Sequence, residues 1–434
     1  MRRYCTRMCR LFSMMFLLFP LTLFASTAVK SMVIFGDSLS DTGNVTHLLK
    51  SLRQEESAAF LVRPFKVFVI NKMIEFADEH YVPDVILDAG IDLVTHFFDQ
   101  DLGPLLASIV TKVNKVPVLP GEPYWESRFS NGRVWNEYLA PMLSIDPVSK
   151  KAYNNQAFGG SWAVTYDQQL TVWNLIRHPI DTLKSLVVGK LIPPSLGLTV
   201  QAYLLVQPQL DKDTVYFVFT GANDYLNVLR FEDNYNPAVM STYIDNVLDG
   251  LTASVRKLTN AGARHVVVMG LPEIGEVPKF VYTMDRSVLN AAIQQHNIRL
   301  ATRLAEWTQS NIDVDFLYID LQPVMQRALD NPAQFGFSNV KDPCIDVKLP
   351  MFDSFAKSPF AGNYVLEYQQ VLNYRDANFA DDEKNYTVCS TPENYLFWDE
   401  VHPSTKAHRY LANEICEKMK AHGYQINCIT PANS

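Results

Sequence analysis

The sequence has no surplus of positive charge: 38 Lys and Arg face 46 Asp and Glu, a formal net charge of −8. An acidic chain repels a polyanion, which argues against nucleic acid as a partner. It has no Gly-X-Y period, no heptad array and no repeat of about 20–50 residues, so fibres and solenoids are excluded. No Ser/Gly-rich or Pro-rich linker divides it into separate bodies. It also lacks several catalytic signatures. There is no Cys-x-x-Cys or Cys/His cluster to suggest a metal site. There is no His-Glu-x-x-His, no phosphate loop and no Gly-x-Gly-x-x-Gly. Without a Gly-x-Ser-x-Gly elbow, an α/β-hydrolase loses its main signature.

Hydrophobic residues make up 48% of the 434 positions and charged residues 19%. That balance excludes wholesale disorder and allows a large core. Part of it lies at the start, where Arg2, Arg3, Arg7 and Arg10 precede an apolar run from Leu11 to Phe24. Ala25, Ser26, Thr27 and Ala28 follow. A basic start, a short apolar centre and a small-residue exit read as a secretory signal peptide over residues 1–28. Cleavage is expected after Ala25 or Ala28. Removing four arginines and no acids changes 38 − 46 = −8 into 34 − 46 = −12. Cys5 and Cys9 leave with the leader, and Cys344, Cys389, Cys416 and Cys428 remain. An even count in an exported chain implies two disulfides. Of three possible pairings, order along the chain favours Cys344–Cys389 and Cys416–Cys428.

Short apolar runs at Met32–Phe35, Tyr216–Phe219 and His265–Met269 each end at a glycine, and Phe316–Ile319 is a fourth. Such runs suit strands buried on both faces. Helical patterns lie between or after them, at Tyr243–Asn260, Val288–Trp307 and about 404–421. Strands alternating with helices predict an α/β fold with a parallel sheet. Three stretches exceed that economy, at about 48–120, 170–207 and 331–395. They carry apolar helical patterns (Phe65–Phe76, Val85–Phe98, Leu102–Val113), the block Leu186–Leu198, and the first cysteine pair. They read as insertions into one domain over residues 29–434.

The chemistry concentrates in four places. Ser38, in Gly36-Asp37-Ser38-Leu39, follows the first strand. A serine at a strand-to-helix turn presents its hydroxyl and its N–H at the sheet edge, a nucleophile beside an oxyanion donor. Asp37 reads as a turn acid bonding nearby backbone. Asn155-Gln156-Ala157-Phe158-Gly159-Gly160-Ser161 is a loop where glycine allows close backbone approach. Asn223, in Gly221-Ala222-Asn223-Asp224, ends the second strand and can donate its amide to an oxyanion. Asp399 and His402, in Trp398-Asp399-Glu400-Val401-His402-Pro403, are spaced so that the acid can hold one ring nitrogen. His408 reads as helix packing.

Together these blocks resemble the GDSL, or SGNH, family of serine hydrolases. Arg128-Phe129-Ser130-Asn131-Gly132-Arg133-Val134-Trp135 and Gly270-Leu271-Pro272-Glu273-Ile274-Gly275 are family-like as well. The resemblance covers about residues 32–418 outside the insertions. It implies a flavodoxin-like three-layer α/β/α SGNH-hydrolase fold with helical insertions. It also implies a catalytic set of Ser38, Asp399 and His402. The oxyanion donors would be Ser38, Gly159 and Asn223, with a slip to Gly160 weighed for the second. No metal or organic cofactor is expected.

Within the family, Phe335-Gly336-Phe337-Ser338-Asn339, the cysteine-bounded insertion and Tyr395-Leu396-Phe397-Trp398-Asp399 are similar to secreted gram-negative lipid acylhydrolases. Those are phospholipases A, lysophospholipases and glycerophospholipid:cholesterol acyltransferases. The resemblance implies phospholipid and lysophospholipid substrates, a sterol as candidate acceptor and transient contact with a membrane surface. A carbohydrate or short-chain acyl esterase, or a lipid-binding relative without catalysis, are the alternatives. The polar stretch at 375–384, between Cys344 and Cys389, suits a lid that an activating protease would nick.

Overall fold

The computed structural model describes residues 27–52, 59–101, 120–163, 195–226, 235–347 and 386–428. Five strands make one parallel sheet: β1 (Ser31–Gly36), β2 (Tyr153–Asn155), β3 (Thr214–Phe219), β4 (His265–Met269) and β5 (Asp315–Ile319). Their order is β2-β1-β3-β4-β5. The four apolar runs are β1, β3, β4 and β5, and β3 is buried along its whole length. Burial on both faces is why these runs show no alternation.

The helices are α1 (Asn44–Leu52), α2 (Ala59–His80), α3 (Asp84–His96), α4 (Trp135–Met142), α5 (Leu196–Val206), the single turn α6 (Ala222–Tyr225), α7 (Pro237–Asn260), α8 (Asp285–Ser310), α9 (Gln322–Asp330) and α10 (Thr405–His422). Several begin where the sequence provides a cap. Ser195, Asn236 and Ser404 accept backbone N–H groups at the starts of α5, α7 and α10. Gly423, at φ +110°, closes α10.

The three layers can be read from ring contacts. Phe35 pairs in register with Val218, so both point to one face, and Phe217 and Phe219 point to the other. Tyr203 of α5 meets Phe35 at 5.5 Å between ring centres, whereas Trp135 of α4 meets Phe217 at 5.4 Å. The sheet therefore lies between helical layers, a three-layer α/β/α fold. Leu196, Val200 and Tyr203 belong to the main core, so the end of the Leu186–Leu198 block is built into a helical layer.

The cysteine-bounded region adds small pairings: β6 (Asn339–Pro343) with β9 (Tyr395–Phe397), and β7 (Ile345–Val347) with β8 (Tyr386–Val388). Cys344–Cys389 and Cys416–Cys428 are both bonded. Residues 1–26 of the leader expected over 1–28, the stretches 102–119 and 164–194, and residues 348–385 with the expected lid lie outside the described residues. Among the described residues, no helix is long and apolar enough to cross a membrane.

Candidate active site

In an open parallel sheet, ligands bind beyond the carboxyl ends of the strands, where the strand order reverses. Here the chain moves from β1 outward to β2, then returns to place β3 on β1's other side. The crevice at the ends of β1 and β3 is that reversal point. Ser38 lies two residues beyond β1, and Asn223 lies just beyond β3. Gly36 lets the turn close: a Cβ there would stand 2.7 Å from the carbonyl oxygen of Phe219. Asp37 shapes the turn by accepting the N–H of Leu39 on Oδ1, and its carbonyl accepts those of Ser40 and Asp41. Its Oδ2 is buried without a partner among the described residues, and burial pushes the carboxyl up to about 7.

His402 comes to Ser38 across 364 residues of chain, with Nε2 2.8 Å from the serine Oγ. Asp399 holds the other side of the ring, its Oδ2 2.6 Å from Nδ1. A carboxylate only accepts, so Nδ1 carries the proton and Nε2 is left to accept from the serine. Oδ1 of Asp399 accepts the backbone N–H groups of Val401 and His402, which folds the acid-to-histidine loop onto itself. Burial favours the protonated acid, but the charge and hydrogen bond of His402 outweigh it, with help from Tyr124 and the N–H of Val401. Asp399 is therefore held below the usual carboxylate range.

Tyr124 is a member that sequence reasoning missed. Its hydroxyl donates to Asp399 Oδ2 at 2.7 Å. No motif surrounds it, and only a fold could bring it across 275 residues.

The family-like stretch 128–135 has a structural task. Ser130 donates to the carbonyl of Pro403, and Asn131 accepts the N–H of Thr405. The ring of Phe129 lies 5.2 Å from that of His402. Trp135 donates to Ser40 Oγ, while Asn136 and Asn155 donate to the Ser40 carbonyl. The Ser38 turn and the His402 loop are thus braced by the same region.

The structure corrects the expectation for Gly159. Its N–H is given to Asp41 Oδ2 at 2.8 Å, so it is not free for an oxyanion. The glycine is needed for space instead, because an added Cβ would stand 2.2 Å from Cε2 of Phe129. Gly160, at φ +81°, occupies the left-handed region that favours glycine. No described residue accepts the N–H of Gly160 or of Ser38. Asn223 spends one amide N–H on the carbonyl of Ser161 at 2.9 Å, which orients the side chain and leaves its second N–H.

Ser38, Asn223 and His402 open on a cavity of about 120 Å³. That is several times the room one water needs. Its other walls are almost wholly apolar, including Ile274, Val277, Leu321, Val324, Ala328 and Leu411. His408 also lines it. Burial, then the charge of His402, pushes that imidazole down to about 3, so it is neutral.

Comparison with known proteins agrees with this geometry. A profile of GDSL-like lipases and acylhydrolases matches residues 32–415. The chain is similar to a GDSL esterase/lipase of Arabidopsis thaliana, 25% identical over 67% of this chain and 76% of the relative. It is similar to a phosphatidylcholine-sterol acyltransferase of Aeromonas hydrophila, 26% identical over 67% of this chain and 79% of the relative. A thermolabile hemolysin of Vibrio parahaemolyticus is 22% identical over 67% of this chain and 55% of its own length.

Proposed function

The chain belongs to the GDSL-like lipase/acylhydrolase family, and from that premise we propose that it is an exported serine acylhydrolase of phospholipids and lysophospholipids. The observation that carries this reading is the hydrogen-bonded series Ser38–His402–Asp399 opening on an apolar cavity. Ser38 Oγ attacks the ester carbonyl while His402 Nε2 takes its proton. Asp399 keeps the imidazole in the right tautomer and stabilises the imidazolium. The N–H groups of Ser38 and Gly160 and the free amide N–H of Asn223 receive the oxyanion, with Gly160 replacing Gly159. Collapse returns the proton to the departing alcohol and leaves an acyl group on Ser38. Water, activated by the same histidine, then releases the fatty acid.

The apolar cavity suits the acyl chain, since each buried methylene contributes about 0.8 kcal/mol. A carbohydrate esterase would want a polar cleft, and a lipid-binding relative has no use for a histidine bonded to the serine. Transfer of the acyl group to a sterol is a second outcome of the same intermediate, favoured by the likeness to the Aeromonas sterol acyltransferase. Export agrees with two disulfides, which persist in oxidising compartments. Thr27 exchanges backbone hydrogen bonds with the segment at Gly423–Gln425, so we place leader cleavage after Ala25. The test is incubation of purified protein with mixed phospholipids, with and without cholesterol, followed by lipid analysis. Release of fatty acid and lysolipid supports the reading. Intact lipid beside cleaved acetylated sugar would overturn it.

A further inference from the structure

Asp399 carries more than a triad needs. Its Oδ2 accepts two hydrogen bonds, from His402 Nδ1 at 2.6 Å and from the Tyr124 hydroxyl at 2.7 Å. Both side chains are buried, so neither bond is exchanged with solvent. Tyr124 also reaches the histidine by a second route. Its ring meets Phe129 at 6.4 Å between centres, and Phe129 meets His402 at 5.2 Å.

What fixes the tyrosine is a small cluster separate from the main core. Tyr124 packs there with Cys344, Ile345 and Trp398, and Cys389 and Tyr395 flank it. The Cys344–Cys389 bond ties its edge together. Cys344 donates its N–H to the carbonyl of Phe397, and Ile345 donates to that of Trp398. Those acceptors are the two residues before Asp399. The phenol and the acid it touches are therefore held by one disulfide-braced unit. A buried hydroxyl in so fixed a setting is poorly explained by packing, which a phenyl ring would serve equally well.

We propose that Tyr124 is a positioning residue, holding the Asp399 carboxylate in the orientation that His402 requires. This rests on the serine-hydrolase reading above. The hydroxyl gives Oδ2 a second charge-assisted hydrogen bond. It limits rotation of the carboxylate, and it draws off part of the negative charge facing the imidazole. Without it, the acid holds the imidazolium more strongly and the ring less precisely. Turnover falls, and the acid limb of the rate profile shifts with it. The other ionisable groups that influence the set are Asp37 beside Ser38, Glu400 on the acid loop and His408 on α10. None is altered by removing the phenol oxygen.

The test is Tyr124→Phe in the full chain, with a soluble acyl ester and pH–rate profiles. The expected result is a fall in kcat of about tenfold, in line with losing one hydrogen bond to a charged group, and KM within about twofold. The acid limb of the kcat profile should move to higher pH. In an Asp399→Asn background the same substitution should cost less than about twofold, because the carboxylate charge through which the hydroxyl acts is gone. A role in packing alone would lower the melting temperature and leave the acid limb in place. That result overturns the proposal, as does a full tenfold loss in the Asp399→Asn background. Ser38→Ala separates the two levels. If it turns over like the parent, the serine-hydrolase reading has failed. If it is inactive and Tyr124→Phe matches the parent in kcat and pH profile, only the tyrosine assignment has failed.

Discussion

Replacing Gly159 with alanine places a methyl carbon 2.2 Å from Cε2 and 2.4 Å from Cζ of Phe129. Ordinary contact begins at 3.4 Å, so the ring must retreat by 3.4 − 2.2 = 1.2 Å. It has little room to do so. Phe129 is 2% exposed and lies between the rings of Tyr124 and His402. Overpacking of this kind costs about 1–3 kcal/mol of stability. On the proposed mechanism the functional cost should be greater, because the ring pushed aside is the one that backs the His402 imidazole. A misplacement of about 1 Å in a reacting group can cost roughly a hundredfold. Gly159→Ala is therefore expected to stay folded, melt a few degrees lower and lose between about ten- and a hundredfold in kcat. The backbone N–H survives the substitution, so the loss reports space and not a hydrogen bond. Phe129→Leu in the same chain, which removes the two clashing ring atoms, should recover a good part of the activity. The assay is kcat on a soluble ester with melting followed by circular dichroism. Activity within about twofold of the parent, or no recovery in the double variant, would refute the reasoning.

Other predictions concern other parts of the molecule. Converting both Cys344 and Cys389 to alanine should cost about 4 kcal/mol and Cys416 with Cys428 about 3 kcal/mol, because the first pair closes 45 residues and the second 12; urea unfolding would rank them. Ala328→Phe narrows the apolar cavity and should reduce turnover of long-chain esters by about tenfold relative to acetyl esters, a selectivity read from kcat/KM across chain lengths. Stability should also depend on pH through Asp315 and His422. Burial pushes Asp315 up, but bonds from His265 and His422, with the charge of His422 and the hydroxyl of Tyr424, hold it well below the usual range. Its contribution is present above the unfolded carboxylate value and lost as pH falls. The bond to Asp315 raises His422, whose contribution is complete below the unfolded imidazole value and lost as pH rises through the raised one. The pair should thus contribute most between about pH 4 and 6.5, so His422→Gln should lower the melting temperature most within that window and flatten its fall on either side.

Much of this site is legible in the sequence alone, because its parts are local. The strands β1, β3, β4 and β5 are unbroken apolar runs, and the turns that follow β1 and β3 place Ser38 and Asn223. The Asp399–His402 spacing closes on itself through the N–H groups of Val401 and His402. What escapes a reading of the sequence is what only the fold assembles. Strand β2 is three residues with no apolar signature, and it exists because β1 offers it a backbone edge. Tyr124 has no motif at all. Gly159 and Gly160 stand side by side, and only the bond to Asp41 and the ring of Phe129 tell them apart. Helix α5 reads as surplus apolar sequence because its first five residues, Leu196–Val200, are all buried and leave no polar face there.

The serine mechanism is tested most directly by where a fluorophosphonate attaches. Such a reagent captures a serine whose hydroxyl is activated by a neighbouring base. The purified protein would be labelled, digested and mapped by mass spectrometry, with His402→Ala treated in parallel. One adduct is expected, on Ser38, and it should be lost in the His402→Ala protein although Ser38 is still present. An adduct on another serine, or none on folded protein, would contradict the mechanism.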